Sequence, residues 1–282
     1  MLQVDRLLST AAVAISDVRC AGGCEHENAL ECAQSTHIVF PYSGVYVRRV
    51  GQDVTVADGN QMLFFNQQQE YRINHPLDGG DACLSLSVDP ATLHELVAAS
   101  MLQPGGGSTF LHQQQRIDSG AQMLLAQLRH ALHKRSDEPL EAETLALALL
   151  RRTLGGQQTP PASTVGRRRL VDRVKLTLAG DVARRWTLGE IAAETGGSPV
   201  YLTQVFQQVE GIPLYRYQLQ LRLARALSLM DQYDDLSAMS FDLGFSSHSH
   251  FSASFRQAYG RSPSSYRKFT KDFDSGEATF PR

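Results

Sequence analysis

The strongest constraint on this chain is an internal repeat in its last third. Leu188, Ile191, Ala192 and Gly196 recur forty-eight positions later as Leu236, Met239, Ser240 and Gly244. Leu202, Phe206 and Gly211 recur one residue further out, as Phe251, Phe255 and Gly260. Self-similarity at a fixed spacing marks two copies of one supersecondary unit, and the extra residue falls in a turn, where an insertion disturbs least. Within the second copy, Leu236 and Met239 share the buried face of a short helix, and Gly244 allows a sharp turn. Phe251 and Phe255, four apart, share one face of a second helix. Gly260 can end that helix in the left-handed conformation, and Pro263 blocks its continuation. Two short helices joined by a Gly-containing turn form a helix-turn-helix unit, whose second helix can enter a DNA major groove. A packed helical hairpin with no such role has the same local pattern, so the whole signature has to decide.

Between the copies, Leu214–Met230 reads as one linking helix rich in Leu, Arg, Gln and Ala, all good helix formers. The run Gly244-Phe245, Phe251, Phe255, Gly260, Ser262-Pro263 and Tyr266-Arg267, with Arg222-Leu-Ala-Arg-Ala-Leu upstream, resembles the signature of the AraC/XylS family of bacterial transcription regulators. The resemblance implies a sequence-specific DNA-binding regulator whose order is unit, linking helix, unit. No Ser-His-Asp set, phosphate loop or paired-carboxylate motif asks for an enzyme.

The residues that would touch DNA follow from which faces must turn inward. Ser198 is a good N-cap and Pro199 suits a first helical position. The helix Pro199–Val209 buries Leu202, Val205 and Phe206, which leaves Val200, Tyr201, Thr203, Gln204 and Gln207 towards a groove. Gln bonds an adenine edge bidentately, and Thr and Val can meet a thymine methyl. In the second copy Phe251 and Phe255 face inward, leaving His248, Ser249, Ser252 and Arg256 exposed. The family resemblance assigns base reading to Val200, Thr203 and Gln204, and to His248, Ser249 and Ser252; it assigns phosphate contacts to Ser198 and Arg256. The sequence departs from the commoner family pattern at Gln204 and Ala253, where Arg is frequent, and at Ser240, where Ala is usual. Without an Arg that could hold guanine, the chain forgoes pairings worth about 1–3 kcal/mol of discrimination each.

The 282 residues are enough for two cores, and charge divides the chain in the same place. Residues 167–268 carry 14 Lys+Arg against 9 Asp+Glu, a net of +5, while the remainder is 13 against 20, a net of −7. A basic module attached to an acidic one suits a nucleic-acid reader joined to something else. Up to about Val88 the chain reads as short strands, among them His37–Phe40, Val45–Val47, Asp53–Val56, Met62–Phe65, Tyr71–Ile73 and Leu84–Val88. Turns at Pro41–Gly44, Asp58–Asn60 and His75–Asp81 punctuate them, as in an antiparallel sandwich or barrel. Helices follow at Ala91–Met101, Asp118–Lys134 and Pro139–Leu154. The last two are amphipathic, one with Leu124, Leu125, Leu128 and Leu132 on a face, the other with an apolar run at Leu145, Leu147, Leu149 and Leu150.

The expected fold class is therefore α+β with two domains. Residues 1–155 form a cupin-like antiparallel barrel or sandwich followed by helices, 156–166 a polar, Pro-containing linker, 167–268 an all-α double helix-turn-helix module, and 269–282 a frayed tail. The cupin likeness comes from the family resemblance, which also implies a sensing or dimerising role for this half. Phe64-Phe65 and Tyr71 stand where metal-binding cupins place ligands, so no cupin-type metal centre is expected, and His37 and His75 read as ordinary strand or turn residues. The leucine run of Pro139–Leu154 either closes the sensor core or makes a homodimer contact. Arg167-Arg168-Arg169 is a solvated face or meets phosphates.

All four cysteines lie in the first half. Cys20, Cys24, His26 and Cys32 are spaced for a metal, with Cys83 able to complete four thiolates, and zinc is the ion that set would take; buried or incidental thiols are the plainer reading. A second class of protein, the Ada-type DNA-repair methyl acceptors, joins a four-Cys zinc domain to an AraC-like module. Its later Cys-x2-Cys pair is missing here, since Cys83 stands alone. No basic leader or apolar run of roughly 20 residues is present, so a cytoplasmic protein with reduced thiols and no membrane partner is expected. The partners expected are double-stranded operator DNA, a second copy of the chain through its N-terminal half, a small-molecule effector, and RNA polymerase if the protein activates.

Overall fold

The computed structural model describes residues 2–21, 29–105, 107–133, 139–155 and 163–275, with side chains to Thr270. It opens with a hairpin of two long strands, β1 (Leu2–Ser9) and β2 (Val13–Cys20), followed by the two-residue β3 (Glu31–Cys32). The strands read from sequence then appear as β4 (His37–Gly44), β5 (Tyr46–Val50), β6 (Asp53–Ala57), β7 (Gln61–Phe65), β8 (Glu70–Asn74) and β9 (Asp81–Val88). A short β10 (Gln114–Arg116) closes the larger sheet. Six strands pair in the order β1-β2-β9-β4-β7-β10 and four in the order β3-β8-β5-β6, all antiparallel.

Alternation along the strands decides what each face meets. Val39, Leu63, Phe65 and Cys83 point between the two sheets with Tyr46, Ala57 and Ile73. Ile38, Phe40, Phe64, Leu84 and Leu86 point the other way, onto helices. Those helices are α1 (Pro90–Leu96), α2 (Ser119–His133) and α3 (Pro139–Leu154), with a 3-10 turn at Ala99–Met101. Leu149, Leu150 and Leu154 of α3 are fully buried in this core, so the leucine run closes the N-terminal domain. Between the sheets the site at Phe65 is filled by aromatic and cationic groups: Phe65 stacks on His37 at 4.8 Å, meets Tyr71 edge-on, and lies under the buried Arg48 guanidinium at 4.2 Å. Arg48 is held by Phe64 O and by Gln113, and burial lowers its pKa to about 10.

The second half is all helix: α4 (Val165–Gly180), α5 (Leu188–Thr195), α6 (Pro199–Glu210), α7 (Leu214–Leu229), α8 (Leu236–Asp242), α9 (His248–Tyr259) and α10 (Pro263–Ser275). Arg167, Arg168 and Arg169 lie near the start of α4 and are exposed, as a solvated face is, and Arg168 and Arg169 line a cleft facing the N-terminal domain. α9 ends at the left-handed Gly260, before Pro263. One expectation needs correction: Pro263 opens α10, so the chain is helical from there as far as Ser275, because proline's missing N–H is no loss in a first turn. Of the described residues, no helix is long and apolar enough to cross a membrane.

Candidate nucleic-acid interface

The two units repeat in three dimensions at the spacing seen in sequence. Ser198 caps α6 by accepting from Tyr201 N at 3.2 Å, and Ser247 caps α9 by accepting from His250 N at 3.1 Å. Both helices end in a left-handed glycine, Gly211 at φ 73° and Gly260 at φ 75°. The turns differ. Around Gly196 there is open space, whereas a Cβ on Gly244 would stand 1.9 Å from Ala183 O. Glycine at 244 is therefore required twice, for its positive φ and for the approach of the loop after α4.

Each reading helix has a separate core. Leu202, Val205 and Phe206 pack with Leu170, Val174 and Leu178 of α4 and with Ile191 of α5. Phe251 and Phe255 pack with Met239, Leu243, Phe245 and Tyr266. The linking helix α7 serves both, giving Leu214, Tyr217 and Leu221 to the first cluster and Leu223, Ala226 and Leu227 to the second. Arg222, between these stripes, donates to Val182 O at 2.8 Å, Arg184 O at 2.8 Å and Gly244 O at 3.1 Å. One guanidinium thus ties the loop after α4 to the turn of the second unit and fixes the two units relative to each other. The motif around Arg222 was visible in sequence; this positioning role was not.

With those cores satisfied, all ten candidate contact residues stay at the surface. Ser198, Val200, Tyr201, Gln204 and Gln207 are exposed on α6 and its cap, with Thr203 half-buried between them. His248, Ser249 and Arg256 are exposed on α9, with Ser252 half-buried and 3.4 Å from His248 Nε2. Val200 is 67% exposed beside Tyr201 at 47%, an apolar pair that packing within the chain does not account for. The fold tolerates the departures from the family pattern: Ser240 is buried and returns its hydroxyl to Ser237 O at 2.8 Å, while Ala253 is exposed.

The N-terminal domain docks onto this module along several helices; besides an apolar strip of Val45, Val47 and Val56 against Leu176 and Ala179 of α4 and the bonds that Arg225 and Ser228 of α7 donate to Ser43 Oγ and Tyr42 O, two junctions stand out. At the first, the turn Asp58–Asn60 inserts its polar side chains against α4, α6 and α7. Tyr217 Oη donates to Asp58 Oδ2 at 2.6 Å, Asn60 Nδ2 donates to Tyr217 O at 3.1 Å, and Gln61 Nε2 donates to Glu210 Oε2 at 3.1 Å. Lys175 forms a buried ion pair with Glu210 at 2.5 Å. Burial works against the Lys175 charge, but Glu210, Asp172 and Asp58 outweigh it and hold its pKa above the ordinary value. Burial pushes Asp58 up, and Asp172 up to about 6. At the second place, Met123 and Ala126 of α2 join the core of the second unit, and Tyr259 Oη donates to Gln122 Oε1 at 3.1 Å. Gln122 also donates to Asn60 Oδ1 at 2.9 Å, which links the two places. Beside the first lies a cleft of about 440 Å³ lined by Gln61, Gln113, Arg116, Arg168, Arg169, Asp172 and Glu210 among others.

Of the cysteine set, Cys24 and His26 lie outside the described residues. Cys20 is half-buried at the end of β2, Cys32 is exposed on β3, and Cys83 is buried on β9 with its thiol pushed well up by burial. These three are not gathered with one another: among the described residues, Cys20 instead comes together with His75 and Asp81. A four-thiolate site of the repair type is not formed by Cys20, Cys32 and Cys83.

Comparison with known proteins agrees with the geometry. Residues 191–268 match the family model described as a helix-turn-helix domain. The transcriptional activator RhaR of Klebsiella pneumoniae subsp. pneumoniae is 28% identical over 151 residues, 52% of this chain and 54% of that protein. The regulator GadX of Escherichia coli O6:H1 is 30% identical over 146 residues, 51% of this chain and 53% of that protein. The chain spans about half the length of these relatives. Among solved structures, a transcriptional regulator of Chromobacterium violaceum with an AraC-type DNA-binding domain aligns over 38% of this chain and 96% of its own, at 26% identity and a TM-score of 0.35. ToxT of Vibrio cholerae aligns over 91% of this chain and 98% of its own, at 11% identity and a TM-score of 0.35. The repeat, the two capped and exposed helices and the matched segment make the C-terminal module of this chain an AraC-type helix-turn-helix domain.

Proposed function

We propose that the whole protein is a non-enzymatic transcription regulator that reads double-stranded DNA with α6 and α9 and is controlled through its N-terminal domain. The observation that carries this reading is the pair of separately cored, Ser-capped helices whose polar faces remain open although the second unit is docked against α2. Val200, Thr203 and Gln204 would read one major-groove segment, and His248, Ser249 and Ser252 the next, about one helical turn or 10–10.5 bp away. Tyr201 and Gln207 would flank the first set, and Ser198 and Arg256 would meet phosphates. Control fits a docked arrangement, because a small molecule in the 440 Å³ cleft would touch both domains and shift the population in which they are joined. A homodimer through residues 1–155 belongs to this reading, raising the effective concentration of reading helices on one operator. With Leu149, Leu150 and Leu154 of α3 turned inward, the exposed Leu2 and Val4 of edge strand β1 and Leu140 at the start of α3 offer apolar surface for it. If the protein activates, RNA polymerase is its further partner.

Footprinting of the full chain on an operator selected from a random DNA library tests the reading. Gln204→Ala should relax preference in one segment and His248→Ala in the other. Each effect should be about 1–3 kcal/mol where the side chain holds its base bidentately, and less where it makes a single hydrogen bond. Changes by both variants at the same base pairs would sink the two-segment arrangement.

A further inference from the structure

The N-terminal domain carries a second place of chemical interest, where the end of β2 pairs with the start of β9. Cys20 ends β2 directly opposite Asp81, which begins β9. The turn His75–Asp81 brings its first residue back to its last, with His75 Nε2 2.5 Å from Asp81 Oδ1. A sulfur from Cys20, a ring nitrogen from His75 and a carboxylate oxygen from Asp81 lie within 4.8 Å of one another. The turn is held hard against its neighbours: a Cβ on Gly44 of β4 would stand 2.0 Å from Gly80 O, so the loop has no freedom to relax inward there. Tyr46, buried, forms a wall 6.4 Å from the imidazole.

An ordinary ion pair between His75 and Asp81 explains part of this arrangement. It leaves one thing over. The pair is shut away from solvent, its side chains only 4% and 7% exposed, yet it does not use the thiol of Cys20, which reaches the same point from the opposite strand. Sulfur, imidazole nitrogen and carboxylate oxygen together are the donor set of a borderline divalent ion such as Zn²⁺, and three protein ligands with one open position are a recurrent zinc arrangement. Zinc–ligand bonds of about 2.0–2.3 Å place ligand atoms roughly 3.3–3.8 Å apart, within a small side-chain adjustment of the spacing present.

We propose that Cys20, His75 and Asp81 form a site for a zinc-class divalent cation. The ion replaces the proton between His75 and Asp81 and the thiol proton of Cys20, and both protons leave to solvent. This differs from the set expected from cysteine spacing, and it takes up a histidine that sequence reading assigns to an ordinary turn. The site also has a mechanical address. Leu77, in the middle of the same turn, packs against the Val45, Val47 and Val56 cluster that also takes Leu176 and Ala179 of α4, so an ion fixing the ends of the turn would bear on a segment that adjoins the helical module.

Cobalt and zinc titration of the chelator-stripped full chain tests the proposal, on free protein, so that it succeeds or fails independently of DNA binding. One equivalent of Co²⁺ should give the visible bands of a four-coordinate site with a thiolate-to-cobalt charge-transfer band, and Zn²⁺ should displace both. Cys20→Ser should remove the charge-transfer band, while His75→Gln and the near-isosteric Asp81→Asn should each weaken zinc by more than ~10-fold with unchanged circular dichroism. The proposal is overturned by the absence of stoichiometric binding, by a charge-transfer band that survives Cys20→Ser, or by zinc affinity indifferent to Asp81→Asn.

Discussion

The two helix-turn-helix units are near copies of each other, yet they meet the N-terminal domain through different chemistry. The first is joined by a buried set of charges and hydrogen bonds, Asp58, Asn60 and Gln61 against Lys175, Glu210 and Tyr217, beside a smaller apolar strip in which Val45, Val47 and Val56 meet Leu176 and Ala179 of α4. The second is joined mainly by apolar burial, with Met123 and Ala126 completing a cluster that contains Phe251 and Phe255. The two kinds of junction fail differently. Apolar burial is non-directional and tolerates small shifts, whereas a buried polar cluster holds only while every member keeps its partner and its proton. Loss of a proton or a partner at the polar junction is therefore expected to loosen the first unit while the second stays attached. Leu188 and Leu236 show the same divergence within the repeat itself: Leu236 is buried, and its counterpart Leu188 is 43% exposed.

Removing the buried cation of the polar junction is the largest expected break. Lys175 faces Glu210, Asp172 and Asp58, so Lys175→Met leaves buried carboxylates without compensation and should cost about 3–5 kcal/mol. Hydrogen exchange should show the weakening in α4, α6 and the turn 58–61, with α9 retaining its protection. Equal weakening of both units would mean that they open as one body, and the contrast between them would fall.

The reciprocal change is Met123→Ala, which trims the apolar junction. Deleting a buried Met side chain should cost about 2–3 kcal/mol, read as lower protection in α2 and α9 with α6 unaffected. Lower protection in α6 instead would show that the first unit depends on the apolar junction after all.

How far such junctions can be read from sequence depends on their range. The repeat, the caps at Ser198 and Gly260, and α3 with both ends in place are local matters of period and punctuation, and they stand in the structure as read. Which side chains stay exposed on α6 and α9 was legible for the same reason, because two phenylalanines four apart decide which side of a helix is left over. What could not be read is which domain covers a face. Asp58-Gly59-Asn60 has the composition of an exposed hairpin turn, yet Asp58 and Asn60 are fully buried, because the partner surface lies some 150 residues away at Glu210 and Tyr217. Leu124, Leu125, Leu128 and Leu132 mark one face of α2, but Met123 and Ala126 form a second that only tertiary docking explains. Lys175 reads as one more basic residue of a basic helix. Cys20 belongs to a suggestive cysteine spacing, but strand pairing sets it opposite Asp81.

The subtlest way to sharpen the contrast is with protons, since only the polar junction should respond to them. Asp172 stands one turn before Lys175 on α4, in the cleft wall, and burial raises its carboxyl to about 6 from the usual 3.8. Glu210 and Asp58 add to the rise, while Lys175 and Arg168 oppose it. A carboxyl raised in the folded state binds its proton more tightly folded than unfolded. Its contribution is therefore fully present below about pH 4 and disappears as pH rises through about 6. Acidification from pH 7 to 5 should stabilise the first junction, the reverse of the usual carboxylate behaviour. His133, raised by its hydrogen bond to Asp17, moves stability in the same direction as pH falls, so the informative quantity is the difference between wild type and Asp172→Asn. That variant should be about 1–2 kcal/mol more stable than wild type at pH 7 in urea unfolding, with the gap closing towards pH 5. Profiles that stay parallel from pH 5 to 7 would show that Asp172 ionises as an ordinary surface carboxylate, and that the charged junction is no more responsive to acid than the apolar one.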